Sequence, residues 1–455
     1  MGLWKERGKA LRRGAMGLAL AGLLALSGCG GEKAVVYETE LLPANDGAPA
    51  TLSLYAGELY SRPGCQEALT DIIQRYQADY PNTQVELLGP ETGPAKAGSA
   101  DIIPVAGGQS MEGLLDFSPY LDAWENEGAL TAAGRMAMHC RGGQGAYAVP
   151  LDMTQLLLFY RVDWAEEYNQ GIAWRDQIRV ETWEEVLSIP GKLGERGRLL
   201  IAEGCHTGLL EASLWSTVGV KGLADLSLGF YVDPEKEEPG TLFAEEKGKK
   251  GLELFQALLE MEGKTEASGP SPQVQAFIDG ESGLLIAENT VVSRLTEEMP
   301  AGVWAAAGLP TGESGTTVAP CQWTGLGVRE DTAEPEKAVH FLAYLTNVDN
   351  NTHMAKACGF LPIYRESPGM EPALGESLRA AEAGLLGVGG YYYAGTYDLL
   401  ADGDTQPLME EACARLQNGA PGEELLSQLD KEYMKRLNGY LEQENPLPWG
   451  EEEEE

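Results

Sequence analysis

Apolar and polar residues alternate along Thr51–Tyr55, with Leu52 and Leu54 on one face, a pattern that predicts a half-buried strand. After a loop over Gly57–Gly64, Leu69, Ile72, Ile73 and Tyr76 recur at i, i+3, i+4 and i+7, one apolar face of a helix. Pro81-Asn82 ends that helix. Val85 and Leu87 predict a second strand, and Ala100–Ile103 a short buried third. Strand, helix, strand over this length predicts a βαβ unit and a parallel sheet.

The alternation continues downstream. Ala148–Pro150 and Leu156–Tyr160 are strand-like. Thr182-Trp183-Glu184-Glu185 predicts a helix start, with Thr182 as the cap and Glu185 three residues on. Leu199–Ala202 predicts a strand, followed by a glycine-containing turn and a helix through Leu209–Trp215. Gly283–Ala287 predicts another strand after the turn Asp279-Gly280. Pro335 opens a helix whose inner face is Ala338, Phe341, Leu342 and Leu345; Pro421 opens one with Leu425, Leu426, Leu429 and Tyr433 inward. No internal repeat of fixed period is present.

The N-terminus follows a different rule. Lys5, Arg7, Lys9, Arg12 and Arg13 precede the apolar run Ala15–Leu26, which is too short for a membrane-spanning helix. The run closes on Leu26-Ser27-Gly28-Cys29, which looks like a bacterial lipobox. The expectation is a signal peptide over residues 1–28, cleavage before Cys29 and a lipid on its thiol. Residues 29–50, mixed in Gly, Pro, Asn and acids, are expected to be a flexible tether, and 446–455 a disordered acidic tail.

Composition narrows the function. At 43% hydrophobic residues the body is globular. A formal charge of −37 repels nucleic acid and anionic lipid, which argues against a nucleic-acid-binding role. Beyond Cys29 the cysteines are Cys65, Cys140, Cys205, Cys321, Cys358 and Cys413, scattered so widely that spacing assigns no pairing. His139-Cys140 and Cys205-His206 lack the short internal spacing of a zinc site, so neither a metal nor any other cofactor is expected. Gly107–Ser110 and Gly387–Gly390 are glycine-rich without a P-loop Lys-Ser/Thr, and there is no Gly-x-Ser-x-Gly elbow.

Several blocks together resemble a known family. They are Arg75–Asn82 followed by Val85-Glu86; Leu114–Leu121; Gly145–Pro150 followed by Leu158–Asp163; Glu181–Glu185; Ala276–Gly283; and Leu309-Pro310 through Glu334–Ala338 to Gly359–Pro362. Their order over residues 51–445 is similar to that of the sugar-binding group (family 1) of extracellular solute-binding lipoproteins of ABC importers, with Arg161 where an asparagine is usual. The resemblance implies an α/β, two-lobed periplasmic-binding-protein-like fold (type II), its ligand cleft between lobes joined by crossing hinge segments. One lobe would hold 51–150 and 309–365, the other 151–308 and 366–445. It further implies no catalysis, a carbohydrate ligand, permease subunits as partners, a monomer, and a lipid-anchored place on the extracytoplasmic face of the cell membrane.

Sugars offer an apolar C–H face to aromatic rings and a rim of hydroxyls to polar side chains. Strand-end loops supply such groups. Glu58 and Tyr60 follow the first strand, Asp152 and Thr154 the first crossing strand, and Glu288-Asn289 the strand before them, with Asn289 a hydroxyl-binding or a turn residue. Among tryptophans, Trp183 and Trp215 are expected to pack, Trp304 is undecided, and Trp323, between Gln322 and Thr324-Gly325, is the stacking candidate. In Tyr391-Tyr392-Tyr393 the three rings cannot all face one core, and Tyr392 is the candidate for the ligand. The rival readings are the same fold with a peptide, polyamine or organic anion, a secreted lipoprotein glycoside hydrolase, and a sensor that presents its ligand to a membrane kinase.

Overall fold

The computed structural model describes residues 47–61, 64–106, 112–123, 130, 146–217, 230–232, 239–241, 243, 246–312, 318–358, 362–364, 391–393 and 405–442. Cys29, the signal and the acidic tail lie outside them, as do Gly107–Ser110, His139-Cys140 and Gly387–Gly390. Strands, in chain order, are β1 Ala50–Tyr55, β2 Thr83–Leu88, β3 Ile102–Ala106, β4 Val149–Arg161, β5 Leu199–Ile201 and β6 Phe230–Val232. They continue with β7 Pro239–Thr241, β8 Leu284–Glu288, β9 Trp304–Ala307, β10 Val318–Val328 and β11 Tyr391–Tyr393. Helices alternate with them, so the fold is α/β. The chain forms two compact units, one containing Gln155–Pro320 and the C-terminal segments from Glu376, the other Gly31–Thr154 and Cys321–Gly375.

The unit that carries β1 is built on the predicted βαβ element. β1 pairs in parallel with β2 (Leu52↔Val85) and with β3 (Leu54↔Ile102). Helix Cys65–Asp79 buries Leu69, Ile72, Ile73 and Tyr76. Helix Pro335–Leu345 buries Ala338, Phe341, Leu342 and Leu345. Tyr76 joins the two helices: its ring lies 4.8 Å from that of Phe341, and its hydroxyl is 3.0 Å from His340 Nδ1. Burial pushes the His340 pKa down, which favours the neutral ring.

A disulfide that no spacing argument assigned joins Cys65 to Cys358, 293 residues apart, with Cα atoms 5.3 Å apart. It ties the first residue of helix Cys65–Asp79 to the last of helix Val348–Cys358. The approach requires Gly64: its φ is +78°, and a Cβ there would lie 2.3 Å from the Ala357 carbonyl oxygen.

The other unit has β8 at its centre, parallel to β5 (Leu200↔Leu285) and antiparallel to β4 (Leu158↔Ile286), with β9 also on β4. The two strand-like pieces expected at 148–150 and 156–160 are a single 13-residue strand, β4. Polar Asp152, Thr154 and Gln155 break the apolar pattern without breaking the backbone ladder, because a strand needs only extended dihedrals, not continuous hydrophobicity. Thr182 and Glu185 form the expected capping box: each backbone N–H is taken by the other's side chain, at 3.2 Å both ways. The final helix, Gly422–Glu442, buries Leu425, Leu426, Leu429 and Tyr433.

Helices Cys205–Trp215 and Thr405–Gln417 pack together and hold Glu211. Burial, and then the nearby charge of Glu410, push its pKa from an ordinary 4.5 up to about 7. A raised carboxyl pKa means that the folded state binds the proton more tightly. Its stabilisation is complete below the unfolded value and is lost as pH rises through the folded one. Glu211→Gln keeps the neutral shape at every pH. The variant is therefore expected to gain stability over wild type as pH rises from 5 to 8, measured as urea midpoints at several pH values. A constant difference across that range would count against a half-buried, proton-holding Glu211.

Candidate functional site

Ligands of open α/β sheets lie outside the carboxyl ends of the parallel strands. In the β1 unit that edge is defined by Tyr55, Leu88 and Ala106. Directly after β1 the chain forms a 3-10 turn, Gly57–Ser61, which carries Glu58 and Tyr60. Tyr60 is half-buried and its hydroxyl accepts a 2.6 Å hydrogen bond from Gln66 Nε2. The Glu58 side chain lies outside the described part.

β10 runs antiparallel to β3, with Thr324 opposite Ala106. Trp323 therefore sits just beyond the last residue of β3, at the same edge as Tyr60. Gly325 and Gly327 approach β4 so closely that their Cβ atoms would lie 2.3 Å from the Val149 oxygen and 2.9 Å from the Tyr147 oxygen. These two contacts make β4 antiparallel to β10, so the backbone of Asp152, further along β4, lies at this edge as well. Its side chain is outside the described part. The fold thus brings Glu58, Tyr60, Asp152 and Trp323 to one edge of one unit.

Trp323, the stacking candidate, is packed inside its unit. It is 3% exposed, as buried as Trp183. Its ring is covered, yet its indole Nε1 has no hydrogen-bond partner among the described residues. A buried polar group left unmatched costs about 1–3 kcal/mol.

In the other unit the carboxyl edge is formed by Ile201 and Glu288. Asn289 follows β8 directly and is fully buried, 0% exposed. Its Oδ1 accepts a 2.7 Å hydrogen bond from the Gln155 backbone N–H, so this oxygen serves the chain rather than a hydroxyl. Gln155, which no sequence signal singled out, is 2% exposed and its Nε2 has no partner among the described residues. Cys205 lies near Glu288; burial first, then that carboxylate's charge, push its thiol up to about 12, which leaves it inert as a nucleophile. Tyr392 lies on β11, its backbone opposite Ala319 of β10; its side chain is outside the described part. Trp304 is half-buried on β9, its ring 6.0 Å from Phe159. The Trp215 side chain is outside the described part.

His206, half of an expected non-site, has Nε2 3.0 Å from Glu262. No cluster of three or more His, Cys, Asp or Glu able to hold a metal occurs among the described residues. Among them, too, no helix is long and apolar enough to cross a membrane.

The model of the bacterial extracellular solute-binding proteins matches residues 62–352. The chain belongs to that family. Solved members of the same fold include the GacH receptor of Streptomyces glaucescens, solved unliganded and with acarbose: 14% identity over 86% of this chain and 99% of that one, TM-score 0.60. Maltose-bound MalE3 of T. maritima is similar at 18% identity, 85% and 99% coverage and TM-score 0.59. UgpB of Mycobacterium tuberculosis, in complex with glycerophosphocholine, follows at 14% identity, 86% and 99% coverage and TM-score 0.58. At such identities the likeness is one of fold. No curated protein sequence matches the chain. The family is one of solute-binding proteins, and the chain has the α/β, two-lobed periplasmic-binding-protein-like fold.

Proposed function

We propose that this solute-binding protein captures a carbohydrate and hands it to the permease of an ABC importer, without turning it over. The observation that carries the reading is the family match over residues 62–352. Sugar-class relatives of the same fold, among them a chitin oligosaccharide binding protein, support the choice of ligand. ATP is hydrolysed elsewhere in such a transporter. Glu58, Tyr60, Asp152, Trp323 and Tyr392 are the groups proposed to meet the sugar, with Asn289 acting through the strand it holds. For Trp323 the burial of the ring shifts the proposed contact from stacking to the indole N–H.

A thermal-shift screen of the body against oligosaccharides, peptides and polyamines tests the reading. A sugar at 100 times its dissociation constant should add about 2.7 kcal/mol of stability. A shift with peptides or polyamines and none with sugars would reject the carbohydrate.

The lipobox supports anchoring through Cys29 on the extracytoplasmic face. Acyl chains would hold the protein by burying CH₂ groups at ~0.8 kcal/mol each. Cys29→Ser is expected to move the protein out of the membrane fraction or leave it unprocessed. Normal processing and lipid labelling of that variant would refute the anchor.

A further inference from the structure

Gln155 joins three observations. Its side chain is almost fully buried, 2% exposed, and Nε2 has no hydrogen-bond partner among the described residues. Its backbone is clamped, because the N–H is donated to Oδ1 of the fully buried Asn289 at 2.7 Å. It also stands at a defined place in the sheet: the next residue, Leu156, pairs with Glu288, the last residue of β8, and β8 runs parallel to β5. Gln155 is therefore the first residue of β4 at the carboxyl edge of this unit's parallel strands, the edge at which open α/β sheets receive ligands. A glutamine needed only to fill space would do as well as a methionine, with no donor left unmatched.

We propose that Gln155 is a ligand-binding residue, its Nε2 donating a hydrogen bond to an oxygen of the bound solute. The inference rests on the binding-protein reading for the existence of a solute and adds the chemistry of one contact. The solute must present an acceptor there: a hydroxyl, ring, glycosidic or phosphate oxygen. A polyamine, which at neutral pH carries donors alone, cannot satisfy this group. The burial of the amide makes the contact selective, because a solute without the acceptor leaves the donor unmatched in a dry site.

Gln155→Met keeps the length of the side chain and removes the donor. The wild-type protein is titrated calorimetrically with maltotriose, chitotriose, glycerophosphocholine and spermidine, and the variant with whichever probe binds. Melting of both without ligand accompanies the titrations. The expected result is an unliganded midpoint equal to or above wild type with affinity lowered about tenfold. A sugar that binds wild type and Gln155→Met equally overturns the role of Gln155 and leaves the carbohydrate reading standing. Binding of glycerophosphocholine alone, weakened in Gln155→Met, supports Gln155 and overturns the carbohydrate. Binding of spermidine alone overturns both. A Gln155→Met protein that melts lower and binds as wild type marks the amide as structural and also overturns the role.

Discussion

Replacing both Cys65 and Cys358 with alanine is expected to lower stability by about 4 kcal/mol. The crosslink closes a loop over a separation of 293 residues. Loop-closure entropy rises only with the logarithm of length, so so long a loop puts the effect at the upper end of the usual range rather than beyond it. The alanines leave no buried hydroxyl behind, which isolates the crosslink from a polar-burial cost. The same loss should follow reduction of the wild-type protein. Cys205 and Cys413 are buried thiols whose pKa values burial raises to about 12 and about 11, and reductant leaves them unchanged. The measurement is a pair of urea titrations, with and without dithiothreitol, on wild type and on the double variant. Midpoints that coincide for oxidised and reduced wild type would mean that the bond contributes nothing. The crosslink also fits the proposed location, since disulfides persist in oxidising compartments outside the cytoplasm.

Gly325→Ala should cost about 3 kcal/mol, a large penalty for one methyl group. A Cβ at Gly325 would lie 2.3 Å from the Val149 carbonyl oxygen, 2.8 Å from its carbon and 2.9 Å from the Pro150 Cα, all backbone atoms that cannot swing aside. Relief requires β4 and β10 to part at the edge that carries Trp323, so solute affinity should fall together with stability. Gly93→Ala is the control. Gly93 has φ −59° and no atom within 4 Å of an added Cβ, so its midpoint should stay within about 0.5 kcal/mol of wild type. Equal midpoints for the two alanine variants would refute the close strand approach.

Periodicity alone placed most elements that build the two units. Leu52 and Leu54 alternate on β1; Leu69, Ile72, Ile73 and Tyr76 line one helix; Ala338, Phe341, Leu342 and Leu345 line another; and all of them are buried. These signals are local: each side chain's face follows from its own position within a period of 2 or 3.6 residues. The Thr182–Glu185 box was legible for the same reason, since a cap involves residues three apart. The lipobox-like run ending at Cys29, an expectation from sequence alone, is local too.

Other features depend on residues far apart in the chain, and no local rule contains them. Cys65 finds Cys358 only because two helices converge. Trp323 is buried because of what packs over β10, although its immediate neighbours are polar. Asn289 had two roles open to it from sequence, and tertiary structure assigned its oxygen to Gln155, 134 residues away. Gln155 itself carried no sequence signal, because polar residues before an apolar run are ordinary. Its meaning comes from burial without a partner, which exists only once the strands around it are assembled. Hydrophobic patterning is repeated and redundant along a chain, so the sequence by itself determined the element types and the α/β class, and its ordered blocks carried the family resemblance. Hydrogen-bond matching at depth is a property of pairs brought together by folding, so only the tertiary structure decided which polar groups are satisfied and which are left unmatched.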